Sequence, residues 1–106
     1  MLARITLPPE IKRSAVVPVR VVILHAMETG YRFDIHGKNI PKNVIHTLTA
    51  RYQEEIIFRA EMGSGMSANP SLQFHFVAGK SGELIFDWRD DNGQIGTQRV
   101  MVSVIG

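Results

Sequence analysis

Apolar residues in this chain recur at every second position in short runs, and clusters of Gly, Pro, Asn, Asp and Ser separate the runs. Because an extended backbone sends successive side chains to opposite faces, such alternation builds a half-buried strand. Nowhere do apolar residues return every three or four positions for long enough to make an amphipathic helix. The pattern therefore predicts strands near residues 3–7, 16–24, 44–52, 56–62, 72–78, 83–89 and 96–104. Pro8-Pro9 closes the first. The second is apolar on both faces and needs cover on both sides, and Pro18, which donates no ladder hydrogen bond, places its part of the strand at an edge or bulge.

The turns between these runs are equally specific. Gln53-Glu54-Glu55 joins two strands as a hairpin, and Asp90-Asp91-Asn92-Gly93 supplies residues that tolerate positive φ. Two segments are longer: residues 27–41, punctuated by Gly30, Gly37 and Pro41, and residues 63–70, which run from Gly63-Ser64-Gly65 to Asn69-Pro70. On the fourth strand Ile56, Phe58, Ala60 and Met62 share one face, leaving Ile57 on the other with Arg59 and Glu61. Leu72, Phe74, Phe76 and Ala78 point inward, as do Leu84, Phe86 and Trp88, while Val77 and Ile85 point out. Seven such strands predict an all-β, immunoglobulin-like sandwich with Trp88 as a core anchor.

A length of 106 residues leaves room for one core, so residues 1–106 are expected to form a single domain. The chain has no cysteine, which removes disulfides, thiolate metal sites and thiol nucleophiles. Its formal charge is +2, but only Lys12 and Arg13 adjoin among the basic residues, so no basic run points to nucleic acid. The first residues lack the apolar run of a signal peptide and no later stretch reaches membrane-spanning length, which taken alone points to the cytoplasm and away from a membrane.

Motifs for chemistry are mostly missing. Gly79-Lys80-Ser81 resembles the end of a phosphate-binding loop, yet the upstream glycine is replaced by Phe74 and a strand follows where a helix is needed. His25, His36, His46 and His75 show no metal-ligand spacing, and the superoxide-reductase type of iron site would also need a cysteine. Asp87, Asp90 and Asp91 lack the alternate carboxylates of a calcium loop. Glu28 has no nucleophile or second carboxylate near it in sequence, and Ser64 and Ser67 lack a strand–turn–helix setting. Met27 and Met66, in the two long loops, offer flexible thioethers suited to protein contacts. The expectation is a chain with no catalytic residue, no metal and no cofactor. A metal-dependent enzyme using His25 and His36 is the remotest alternative.

The loop segments carry a resemblance. His25-Ala26-Met27-Glu28-Thr29-Gly30, with Arg32, Asp34, Gly37-Lys38, Ile40-Pro41 and Val44-Ile45, resembles the first signature of the SoxZ family. Ser67-Ala68-Asn69-Pro70 with Phe74 resembles a second, and Ser81-Gly82, Leu84, Phe86, Trp88, Asp90-Asp91 and Gly93 a third. Ala26 stands where the family has proline, and Gln53-Glu54 where it has an Asn-Gly turn. The resemblance implies an immunoglobulin-like, non-catalytic subunit of a thiosulfate-oxidation carrier complex. Its partner, SoxY, would carry sulfur intermediates on a cysteine in a Gly-rich arm and present them to a cytochrome, a hydrolase and a dehydrogenase. It also implies a periplasmic location reached by co-export with the partner, which replaces the cytoplasmic reading.

On that reading the interface draws on Val22 and Leu24 of the second strand, on Ile57, Val77 and Ile85, which interrupt polar faces, and on loop residues Met27, Glu28, Thr29, Ser67 and Asn69. The opposite expectation for these loops is that they fold back on the sandwich. For the isolated subunit two states stay open, self-association through surface meant for its partner and a monomer. The main alternative is a free-standing immunoglobulin-like binding module without a sulfur role, which a neighbouring gene for a small protein ending in Gly-Gly-Cys-Gly-Gly would argue against.

Overall fold

The computed structural model describes residues 2–106. Seven principal strands follow one another: β1 (Leu2–Thr6), β3 (Val16–Leu24), β4 (Ile45–Tyr52), β5 (Glu55–Glu61), β6 (Ser71–Val77), β7 (Gly82–Asp90) and β8 (Ile95–Val102). Two further strands of two residues, β2 (Ile11–Lys12) and β9 (Val104–Ile105), pair in parallel and were not legible as strands. The principal strands form two antiparallel sheets, ordered β1-β3-β6 and β5-β4-β7-β8. The expected sandwich is therefore present, with its core between the sheets.

Each inner face follows the alternation of the sequence. Val17, Val19, Val21 and Ile23 of β3 are buried, as are Phe74 and Phe76 of β6, and Leu48, Ala50, Leu84, Phe86 and Trp88 of the facing sheet. Aromatic rings tie the sheets together. Phe58 stacks on Phe74 with centroids 4.4 Å apart, and Tyr52 tilts against Phe76 at 5.1 Å, geometries that suit ring quadrupoles. Pro18 lies opposite His75 of β6, beyond the point where β1 stops pairing at Arg20. It thus sits where β3 has lost one neighbour, as a residue without an N–H requires.

One expectation about faces is corrected. A β-bulge between Ala50 and Arg51 places Phe58 opposite Ala50 but Ile56 opposite Arg51, so the alternation changes phase at Ile57. Ile57, expected outward, is half-buried against the core, whereas Ile56, expected inward with Phe58, is exposed.

Residues 28–43 leave the sandwich between β3 and β4 as a ribbon, not as an irregular loop. Glu28 and Asn43 exchange backbone hydrogen bonds of 2.9 Å at its base. Phe33 bridges Asn39 further out, and Asp34 Oδ1 accepts from the amides of His36 (2.8 Å) and Lys38 (2.9 Å) to form the turn. Every residue from Tyr31 to Asn39 is exposed. The molecule measures 59 × 22 × 18 Å, and a nine-residue strand spans only about 30 Å of that length.

Candidate functional site

The three sequence segments that carry the resemblance meet at the end of the sandwich from which the ribbon leaves. His25 is the hub. Its backbone N–H donates to Asn69 Oδ1 (3.0 Å), its carbonyl accepts from the Asn69 amide (2.7 Å), and its ring Nδ1 accepts from the Met27 amide (2.9 Å). With Nδ1 an acceptor, the ring proton belongs on Nε2, which faces Asp90 Oδ2 at 3.2 Å. Asp90 is 2% exposed, and its second oxygen accepts from the Gln94 amide at 2.9 Å. Positive φ at Met27 and Asn69 (51° and 52°) turns the chain back toward His25 on both sides. Asparagine tolerates that conformation better than methionine does.

Asp91 extends the cluster. Its Oδ2 accepts from the Val44 amide at 3.0 Å and its Oδ1 pairs with His46. A second bulge lies between Ile45 and Thr47, opposite Asp90 and Arg89. It lets Ile45 stay buried while His46 turns out to Asp91. The Val44 hydrogen bond, chiefly, holds the Asp91 carboxyl below its ordinary 3.8; partial burial opposes it, and His46 and Lys42 add to it. All four oxygens of Asp90 and Asp91 are thus engaged by groups of the protein. The cluster locks three loops together.

The expected interface residues divide accordingly. Met27 does not offer an exposed thioether. It is 4% exposed, and its sulfur accepts from the Ile45 amide at 3.3 Å. Met66 likewise packs half-buried on the core. Both methionines fill space under loops that fold back, because an unbranched thioether adapts to an irregular gap. Glu28 is half-buried and pairs with Arg32 at 3.2 Å, and Thr29 Oγ1 accepts from the Tyr31 amide. Ser67 and Asn69 are exposed, the latter while holding His25. Ile85 lies half-buried on the outer face of the larger sheet between Arg51 and Arg99, which pair with Asp87 (2.8 Å) and Glu83 (3.2 Å). Arginine stems cover it.

Val22, Leu24 and Val77 belong to the outer face of the smaller sheet. Leu24 stands opposite Leu2, Val77 opposite Val16, and Val22 between Arg4 and Ser71. Thr6, Pro18, Arg20, Gln73 and His75 complete this face, which bears no carboxylate. The sequence reading missed Tyr31, Phe33 and Ile35 on the ribbon, exposed by 84%, 66% and 95%. Their alternation between Gly30 and Gly37 was the available signal, obscured by two glycines that read as a loop. Among the described residues no group of three or more His, Cys, Asp and Glu side chains is arranged to hold a metal ion. His25 has both ring nitrogens engaged, His36 lies in the exposed turn of the ribbon, and His75 lies on the outer sheet face. Among the described residues no helix is long and apolar enough to cross a membrane.

Fold and site together define an immunoglobulin-like β-sandwich whose loop cluster is a structural lock. Superoxide reductase (neelaredoxin) from Ignicoccus hospitalis superposes with a TM-score of 0.73 at 18% identity, over 99% of this chain and 81% of that one. The sulfur carrier protein SoxY from Chlorobium limicola f thiosulfatophilum superposes with a TM-score of 0.59 at 14% identity, over 98% of this chain and 74% of that one. Such identities show the fold alone. The family is shown by sequence: the chain belongs to the SoxZ family, whose description is Sulphur oxidation protein SoxZ and whose model matches residues 5–101. No curated protein sequence matches it significantly.

Proposed function

We propose that this chain is the non-catalytic subunit of a thiosulfate-oxidation carrier complex, where it binds SoxY and presents it to the enzymes that process its cargo. One observation carries the reading: a SoxZ-family chain matched over residues 5–101 has no cysteine. Covalent sulfur carriage in this system needs a thiolate, so the cargo must sit on another polypeptide. The fold shared with a protein named as a sulfur carrier, SoxY, is consistent with a pair of sandwiches. The carboxylate-free outer face of β1-β3-β6, with Val22, Leu24 and Val77, supplies partner surface, and Thr29, Ser67 and Asn69 flank it. The complex is exported already assembled, so this chain works in the periplasm.

Co-expression with SoxY followed by purification through a tag on this chain tests the reading. The expected result is a stable complex in which intact-mass analysis after thiosulfate loading finds sulfur on SoxY alone. Sulfur bound covalently to this chain, or no complex at micromolar concentration, overturns it. Cell fractionation tests the location. The chain should reach the periplasm when SoxY carries its export signal and stay in the cytoplasm when that signal is deleted.

A further inference from the structure

Of the four strands that end a principal sheet, β1 and β5 are guarded against a further strand. β1 is five residues long and runs into Pro8-Pro9, and β5 carries the bulge at Ile57 beside Glu55, Arg59 and Glu61. Short length, proline, bulges and charge are the usual protections of an open edge. β8 has none of them. It keeps one register with β7 over eight residues, Ile95–Val102, without proline, lysine or bulge, and its single charge, Arg99, is held by Glu83 at 3.2 Å. The Asp90 amide donates to the Gln94 carbonyl at 3.1 Å. By alternation the peptide groups of Gly96, Gln98 and Val100 therefore face β7, and those of Ile95, Thr97, Arg99 and Met101 face away from the sheet. On the outer face of the same strand Ile95 and Met101 are 65% and 59% exposed.

We infer that β8 pairs antiparallel with β8 of a second copy of this chain about a two-fold axis at Gln98, joining two four-stranded sheets into one of eight strands. Residue chemistry selects the occupant and the register. Outward peptide groups must oppose one another, so with most of the strand overlapped the axis falls at Thr97, Gln98 or Arg99. An axis at Arg99 sets that arginine against itself, and like charges directly opposed repel. An axis at Thr97 sets Ile95 opposite Arg99 and leaves Met101 opposite Gly93 in the turn. An axis at Gln98 sets Ile95 opposite Met101 twice, so that all four exposed apolar side chains cover one another. It also sets Arg99 opposite Thr97, whose Oγ1 donates to Asp87 Oδ1 at 3.1 Å, so each guanidinium meets a hydroxyl next to a carboxylate. β6 is the other unguarded edge, but paired with itself it opposes Ser71 to Val77 and Gln73 to His75. The β8 contact is isologous and closes on itself, removing both open edges. One strand edge falls short of the ~800 Å² per partner of a standard interface, so the dimer is a weak one that forms at high concentration. It leaves the smaller sheet free and does not depend on the pairing proposed above.

The test is sedimentation of the full chain up to millimolar concentration, for wild type, I95K/M101K and V16S/V77S. All four replaced side chains are exposed, so both variants should fold as wild type does. The expected result is a wild-type dimer, at least ~100-fold weaker self-association for I95K/M101K, and under about threefold change for V16S/V77S. Concentrating wild type should slow amide hydrogen exchange at Ile95, Thr97, Arg99 and Met101 but not at Gly96 and Gln98, which already bond to β7. The chain has no cysteine, so oxidised Gln98→Cys should give a single cross-linked dimer, because opposed Cα atoms of such a pair lie about 4.5 Å apart, within disulfide reach. A dimer that I95K/M101K leaves intact and V16S/V77S abolishes moves the contact to the smaller sheet and overturns the inference. A dimer whose four outward amides exchange as fast as in the monomer overturns strand pairing. Wild type that stays monomeric at millimolar concentration overturns it as well, and protection of the same amides only on adding SoxY would then give the edge to that chain.

Discussion

A Cβ built at Gly96 would lie 2.2 Å from the Trp88 ring, which lies over this position because the two residues face each other across β7 and β8. An indole locked in the core has no flexible end to move aside. Gly96→Ala should therefore destabilise the fold by about 2–3 kcal/mol, as overpacking does, read as a lower denaturation midpoint with an unchanged m-value. Asp90 is the second sensitive position. Replacing it with Ala leaves the buried His25 Nε2 and the Gln94 amide without acceptors, a loss of about 2 kcal/mol, again measured by chemical denaturation. Asp91 sets a pH dependence. Its carboxyl titrates lower in the folded chain than in the unfolded one. It therefore adds stability above the unfolded value, and that contribution disappears as pH falls through the folded value. Wild type should lose stability below about pH 4, and Asp91→Asn should lose less over the same interval in melts taken across acid pH.

At the scale of elements, the β4–β5 hairpin turns on Gln53 and Glu54, both at positive φ (52° and 68°). A two-residue turn of this kind prefers Asn-Gly, and each side chain held in the left-handed region costs on the order of 1 kcal/mol. The double substitution Gln53→Asn and Glu54→Gly should raise stability by about 1 kcal/mol, seen as a higher melting temperature. The hairpin was legible in the sequence; the phase change of the strand after it was not. A bulge forms when the two strands pair, and nothing in the alternation of Ile56, Ile57 and Phe58 announces it. The ribbon was half legible. Its glycines, Asp34 and Asn39 marked turns, but what lifts it clear of the sandwich is the closure of its base between Glu28 and Asn43. Asp34→Ala should leave the melting temperature unchanged while speeding hydrogen exchange at His36 and Lys38 by about tenfold, since each amide loses a bond of roughly 1.4 kcal/mol.

Over the whole molecule, the two outer faces have different fates. The larger sheet covers its outer face with its own ion pairs, Arg51–Asp87 and Arg99–Glu83. The smaller sheet leaves Leu2, Leu24, Val16 and Val77 open. The Cα radius of gyration is 16.2 Å, against roughly 13 Å for a compact domain of this length. Replacing residues 31–39 with a short glycine linker should bring the radius measured by solution scattering down toward the compact value. On the proposed pairing, adding SoxY should raise the melting temperature roughly with the logarithm of its concentration.

Residue order alone determined the all-β class, all seven principal strands to within about two residues, the alternation that fills the core, and the three loop segments that mark the SoxZ family. Those features follow from local sterics and from a two-residue period that every strand obeys independently. Tertiary structure alone decided that the three segments meet on His25, that Met27 is buried while Tyr31, Phe33 and Ile35 are not, and that Ile56 and Ile57 exchange faces. Each of these depends on contacts between residues far apart in the chain, where the distance across a bulge or the closure of a ribbon outweighs any local preference.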